Sequence, residues 1–215
     1  MVSTRSAGLA GMIGAAGFAV VVVFLTFAQL GFMVELGWKP LGTSDVPWPS
    51  GLALGPLGWL QVLNFAFFGL TLIVFALGLD RGVTPSGRLS WAGPAFLMVA
   101  GVALVLAAFK ADPHTMQGSQ TWHGAIHLLA FLLLVLSFLL ALFFCRRRLS
   151  RDPRWRGYDS YTLITALLYI AFLFASTWQW GFYLFLANVL IWTGLMALHL
   201  QRIAETSSVS APRVR

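Results

Sequence analysis

Long apolar runs dominate the pattern of hydrophobic and polar residues along the chain. About 20 consecutive apolar residues are needed for a helix to span the hydrocarbon core of a bilayer. The pattern predicts six such helices, at residues 9–33, 57–79, 91–109, 122–145, 161–177 and 182–201. We therefore expect an all-α, polytopic integral membrane protein built as a six-helix transmembrane bundle.

The connections between these runs indicate a single domain over residues 1–201. The longest connection is the first, residues 34–56, and no segment has the pattern of a second domain. Residues 202–215 are polar and predict a disordered cytoplasmic tail.

The basic residues predict the orientation of the bundle. If the N-terminus is cytoplasmic, twelve of the fourteen Lys and Arg residues fall on the cytoplasmic side, and only Lys39 and Lys110 fall outside. Cytoplasmic loops of membrane proteins carry such an excess of positive charge. Both termini are therefore predicted to be cytoplasmic. The compact loops and the frequent use of arginine favour a multi-pass protein of a prokaryotic plasma membrane.

Composition agrees with a lipid environment. The chain is 59% hydrophobic and 10% charged, with a mean hydropathy of +0.82, whereas soluble domains are about 45–50% apolar and about 25% charged. The high isoelectric point, about 10.5, follows from the charge bias of the loops, and no basic and aromatic residues interleave as in a nucleic-acid platform. We expect the bilayer as a partner and no nucleic acid. The oligomeric state is not indicated.

Polar side chains gather at one depth, towards the predicted outer ends of the helices. Polar groups in hydrocarbon need partners or a wet cavity, so their shared depth predicts a polar pocket that opens to the extracytoplasmic side. The predicted lining residues are Gln29, Gln61, Asn64, Ser176 and Asn188.

The stretch TWHGAIHLL, residues 121–129, supplies the candidate chemistry. His123 and His127 are one helical turn apart and share a face. Two such nitrogens could bind zinc or another divalent metal, with Asp112 and His114 as further ligands, and an open position would activate water. This hypothesis makes Asp112, His123 and His127 the catalytic residues of a metal-dependent hydrolase acting on a lipid-like ester or amide. Ser176 or a hydroxyl of the long first loop would assist.

Other interpretations of the histidines stay open. His123 lies beside Trp122 at the membrane interface, and His127 could bond Asn64 or Asn188, which would suit a non-catalytic scaffold or a lipid-binding protein. The HExxH pattern of metalloproteases is absent because position 124 is Gly. His123 and His127 cannot be the two axial ligands of one haem. A small transporter or channel subunit is a lesser alternative, since no charged residue lies in the middle of a predicted helix.

The layout resembles a bacterial and archaeal membrane family known as domain of unknown function 998. The resemblance rests on the long first loop, on GPLGWLQVLNFAFFGLTLIVFALGL at 55–79 and on FKADPHTMQGSQTWHGAIHLLAFLLL at 109–134, and it covers residues 30–200. The family pattern has an acid after a serine in the first loop, whereas Gly51 follows Ser50 here. The resemblance implies a multi-pass fold but no particular activity. A looser likeness, to membrane hydrolases of the alkaline-ceramidase type, is an analogy only.

Overall fold

The computed structural model describes residues 3–85, 87–114 and 120–209, with side chains as far as residue 206. Within those ranges the chain is all-helical, with no strand, as the sequence predicts. The α-helices are α1 (Thr4–Ala28), α2 (Leu30–Glu35), α3 (Gly58–Gly82), α4 (Ala92–Leu106), α5 (Trp122–Leu149), α6 (Tyr158–Phe174) and α7 (Gln179–Val209). Short 3-10 turns cover Ser50–Leu54, Pro153–Trp155 and Ala175–Thr177.

Five helical segments are long and apolar enough to cross a membrane. They are Thr4–Ala28, Gly58–Gly82, Trp122–Leu149, Tyr158–Thr177 and Gln179–Thr206. The multi-pass membrane class is thereby confirmed. α4 is apolar but has only 15 residues, fewer than the roughly 20 that a straight crossing needs, so the sixth crossing stays a prediction.

Most helix boundaries differ from the predicted ones by a few residues, and two of the differences change the picture. The first predicted helix, 9–33, is interrupted at Gln29, where φ is −119° and ψ is 21°. The buried Gln29 side chain braces the first loop, donating from Nε2 to the Leu52 carbonyl and accepting at Oε1 from the Leu57 N–H. At the other end of the chain α7 continues to Val209, beyond the predicted end of the last helix at residue 201, and the disorder of the tail stays a prediction. Residues 210–215 lie outside the described ranges.

Large apolar side chains form the core between the helices. α1 packs on α3 and α7, α4 lies between α3 and α5, and α6 joins α5 to α7. The largest fully buried side chains include Phe18, Phe75, Phe138, Tyr169 and Trp192. Many other Leu, Phe and Val side chains point outward, as expected of a bundle whose solvent is lipid rather than water.

The first long connection is held firmly over one end of the bundle. The Trp48 indole N–H donates to the Thr26 hydroxyl at 3.0 Å, and the Tyr183 hydroxyl donates to the Pro40 carbonyl at 2.9 Å. The Trp48 and Tyr183 rings also meet edge to face, with centroids 4.6 Å apart. These contacts, with the brace from Gln29, fix the position of the residue that follows Pro49.

Candidate active site

Ser50 and His127 meet where the first connection touches α5. Ser50 Oγ lies 2.9 Å from His127 Nε2, which is hydrogen-bonding distance. His127 is almost fully buried, with 7% of its surface exposed, and Ser50 is partly buried. The two side chains therefore form one hydrogen-bonded pair inside the protein.

The other ring nitrogen fixes the polarity of this pair. His127 Nδ1 lies 2.7 Å from the Phe109 carbonyl oxygen and 2.9 Å from that of Ala107. Carbonyl oxygens only accept hydrogen bonds, so Nδ1 must carry the proton. In the neutral ring Nε2 is then the acceptor, and Ser50 must donate to it. A serine hydroxyl that donates to an oriented imidazole is the arrangement of an activated nucleophile.

Local packing places Ser50 at the start of the 3-10 turn Ser50–Leu54. The two residues after Gly51, Leu52 and Ala53, are buried, so this part of the loop dips into the bundle. Gly58 is needed at the start of α3 because a Cβ there would overlap the Ala53 carbonyl. The apolar run GLALG therefore acts as an anchor that presents Ser50 to α5.

Two cavities meet at the pair, and Ser50 and His127 line both. The narrower, about 70 Å³, runs inward between apolar side chains that include Phe65, Leu72 and Phe138. From His127 to Phe138 is eleven residues of α5, a depth of about 16 Å at the helical rise. The wider, about 430 Å³, also has polar residues in its wall; these are Thr43, Ser44, Asp45, Asp112, Ser176, Thr177 and Gln179.

Asp112 caps α5 from the preceding connection. One carboxylate oxygen accepts from the N–H groups of Gln120 and Thr121, at 2.8 and 3.2 Å, and the other accepts from the Thr121 hydroxyl at 2.6 Å. The Thr121 hydroxyl and these N–H groups hold the pKa of the Asp112 carboxyl below its usual value, although burial opposes them. Gly124 leaves room for the carboxylate, since a Cβ there would overlap it.

Three of the four predicted metal ligands, Asp112, His123 and His127, have hydrogen-bond partners other than a metal. His123 Nδ1 lies 2.9 Å from the Lys110 carbonyl and 3.0 Å from the Thr121 hydroxyl, so it braces the same connection. His114 lies two residues after Asp112. Across the residues that the structure describes, no three His, Cys, Asp or Glu side chains are grouped to hold a metal ion. The zinc site stays a prediction.

Of the polar residues predicted to line the pocket, only Ser176 lines the wider cavity with Asp112 and His127. The other predicted side chains make contacts between or within helices. Asn64 donates to the Phe18 carbonyl and to Gln61, and Asn188 donates to the Thr165 carbonyl, while Gln29 braces the loop.

Gln179 adds a polar group that the sequence did not single out. It begins α7, lines the wider cavity and is 6% exposed. Its side-chain Oε1 is buried with no hydrogen-bond partner among the described residues. A buried polar atom without a partner is costly, so this amide is suited to a polar group of a ligand.

The sequence pattern predicts no more for Ser50 than a hydroxyl in the first loop. Two signals could have drawn attention to it: the apolar run GLALG inside a polar connection, and the pair of prolines, Pro47 and Pro49, just before the serine. Neither signal identifies its partner, because 77 residues separate Ser50 from His127.

The comparisons with known proteins point to one family. Residues 49–201 match a family described as "Protein of unknown function (DUF998)". No curated protein and no solved structure matches the chain. The matched region begins one residue before Ser50 and includes His127.

Proposed function

The chain belongs to the DUF998 family, whose function is unknown, and from its own geometry we propose that it is a membrane-embedded serine hydrolase acting on an ester or amide of a lipid-like substrate. The observation that carries the proposal is the hydrogen bond from Ser50 Oγ to His127 Nε2, in a ring whose other nitrogen is held by two carbonyls. Ser50 is the nucleophile and His127 the general base.

The chemistry balances as an acyl transfer in two steps. Ser50 Oγ attacks the substrate carbonyl carbon and its proton passes to His127 Nε2. The bond from that carbon to the leaving oxygen or nitrogen then breaks, and His127 returns the proton to the leaving group. Water attacks the resulting acyl-serine in the same way, with His127 taking and returning its proton, which frees the fatty acid and restores Ser50.

Two backbone carbonyls take the place of the carboxylate that often orients such a histidine. The oxygens of Ala107 and Phe109 carry partial negative charge and both face Nδ1. They hold the ring in the required tautomer and stabilise the imidazolium that forms during the reaction.

The shapes of the two cavities support a lipid-like substrate. The narrow apolar cavity suits an acyl chain, and the wider cavity with its polar wall suits a head group, so that the scissile carbonyl would lie beside Ser50. Gln179 offers its unpartnered side-chain oxygen, Oε1, to a donor group of the head group.

We place this site on the extracytoplasmic side of a prokaryotic plasma membrane, with both termini cytoplasmic. The support is the charge pattern, since the arginines of residues 146–156 lie in the last turn of α5 and just beyond it, at the opposite end of that helix from His127. A substrate would then come from the outer leaflet.

Turnover of lipid esters by the purified full chain tests the proposal. We expect Ser50→Ala to abolish turnover and His127→Gln to lower it by about 10²–10⁴-fold, the usual contribution of a general base. Matched controls are Ser137→Ala, whose hydroxyl bonds only to its own helix, and His199→Gln, which contacts the Arg154 carbonyl. Both should keep wild-type turnover.

Two results would contradict the proposal. One is full turnover in Ser50→Ala. The other is that folded wild-type protein binds the lipid but does not hydrolyse it. That result would favour a lipid-binding protein. If turnover instead needs zinc and survives Ser50→Ala, the metal-dependent mechanism predicted from the sequence would replace this one.

A further inference from the structure

A third cavity lies at the other end of the bundle, far from Ser50. Its volume is about 190 Å³, and it is enclosed by the connection before α4 and the C-terminal end of α5. Four arginines line it, Arg88, Arg147, Arg148 and Arg151, and no acidic residue does so within the described ranges.

One of these arginines already has its charge balanced. Arg148 is 3% exposed and donates to the Asp80 carboxylate at 2.7 Å, to the Ser90 carbonyl at 3.0 Å and to the Val83 carbonyl. Arg88 and Arg147 are exposed and form no ion pair with any residue that the structure describes. The cavity therefore combines the neutralised Arg148 with the positive charge of Arg88 and Arg147, which has no counterion among the described residues.

The connection before α4 turns sharply beside this cavity. Gly87, with φ of +110°, turns the chain beside Arg151, whose guanidinium lies 3.8 Å from where a Cβ would be. This turn brings Arg151 close to the connection that carries Arg88.

The wall of the cavity is also partly apolar. Phe144 lines it one turn before Arg148, and Leu89, which is 55% exposed, lines it from the connection. Apolar contacts do not stabilise a bound inorganic anion, whereas they do stabilise the acyl chains that a lipid carries beside its phosphate. Basic pockets between helices bind the head groups of anionic lipids in this way.

We propose that this cavity binds the phosphate group of an anionic lipid, held by Arg88 and Arg147, with the lipid chains against Phe144 and Leu89. The site is separate from Ser50 and His127 and does not depend on the proposed hydrolase activity. Arg146 and Arg156 add the same positive charge to this end of the bundle, but they do not line the cavity.

That difference supplies the matched control. The full chain, purified in detergent, is titrated with phosphatidylglycerol, with phosphatidylcholine and with inorganic phosphate, and lipid occupancy is read by native mass spectrometry. We expect the double variant Arg88→Gln/Arg147→Gln to weaken phosphatidylglycerol binding by about thirtyfold, since each arginine near a membrane surface contributes about fivefold. Arg146→Gln/Arg156→Gln should bind nearly as the wild type does.

An equal loss in both double variants would overturn the proposal, because it would mean unspecific attraction to the surface. If inorganic phosphate displaces the lipid at equal concentration, the cavity binds free phosphate as well as it binds the lipid, and the proposal of a lipid ligand is overturned. The thermal melt without lipid shows whether each variant is folded. If Arg88→Gln/Arg147→Gln unfolds, each single variant is titrated instead, with an expected loss of about fivefold.

Discussion

Ser50 and His127 are 77 residues apart in the sequence, yet their side chains meet at 2.9 Å. The loop that carries Ser50 is anchored by its own buried residues and by Gln29, while His127 is oriented by carbonyls that follow α4. The pair is therefore preorganised from both sides, as a nucleophile and its base need to be.

The narrow cavity predicts selection for the length of the acyl chain. Leu72 lines it two turns inward from Phe65 on α3, so Leu72→Trp should fill its inner part. We expect turnover of long-chain esters to fall at least tenfold while short-chain esters are retained. Leu70→Trp is the control, because Leu70 is 57% exposed and faces away from the core. Equal loss for all chain lengths would show that the cavity does not hold the chain.

The cap that Asp112 forms on α5 predicts that the stability of the protein falls in acid. The folded pKa of Asp112 lies below its ordinary value of 3.8, so its stabilising effect is complete above that value and is lost as the pH falls through the folded pKa. Asp112→Asn should lower the melting temperature at pH 7 and reduce the loss of stability as the pH falls below about 4. Melting temperatures of wild type and Asp112→Asn, measured at pH 7 and at several more acidic values, check this. Parallel curves of melting temperature against pH would contradict it.

Gly124 makes a steric prediction about the same cap. Because a Cβ would overlap the Asp112 carboxylate, Gly124→Ala should destabilise the protein by about 1–3 kcal/mol, as overpacking does. Gly194→Ala is the matched control on α7, where a Cβ meets nothing within 4 Å. Denaturation of both variants in the same detergent gives the comparison. A smaller effect for Gly124→Ala than for Gly194→Ala would show that the cap has room to move.

The buried arginine at the other end makes a prediction about stability. Arg148→Met leaves the Ser90 and Val83 carbonyls and the half-exposed Asp80 carboxylate without their donor, and leaving buried acceptors unpaired costs about 1–3 kcal/mol. Arg146→Met, in the same last turn but exposed, should change the free energy of unfolding by less than about 0.5 kcal/mol. Similar losses in the two variants would argue against this role for Arg148.

The orientation of the bundle in the membrane can be tested by labelling cysteines introduced into the wild-type chain, whose one natural cysteine is Cys145. Cys145 is buried at 2% exposure, so it should react little with an impermeant maleimide. In intact cells we expect Leu41→Cys, in the first connection, to be labelled and Arg156→Cys to be protected until the membrane is opened. The reverse pattern would place Ser50 on the cytoplasmic side.

The fold and the site differ in how far the sequence predicts them. Apolar runs of membrane length are local, so the helices can be found from the pattern, and only details such as the break at Gln29 depend on a distant loop. The depth of His127 could be inferred because it follows from the position along a helix. Its partner could not, because Ser50 reaches it only through the folding of the connection between α2 and α3, residues 36–57, and the direction of a side chain around a helix is fixed by packing.

The spacing of His123 and His127 likewise predicts their shared helix face but not their hydrogen-bond partners. That spacing places both on one face of α5, yet His123 turns to the Lys110 carbonyl while His127 turns to those of Ala107 and Phe109. The connection between α4 and α5 provides these separate acceptors, and nothing in the spacing of two histidines reveals them.

The most direct test of the central claim is covalent trapping of the nucleophile. The purified full chain is treated with a fluorophosphonate that carries a long alkyl chain, and the modified residue is located by mass spectrometry of its peptides. The account predicts one adduct, on Ser50, formed far more slowly in His127→Gln and normally in His199→Gln. A folded wild-type protein that gives no adduct on Ser50, or one whose labelling is indifferent to His127, would contradict it.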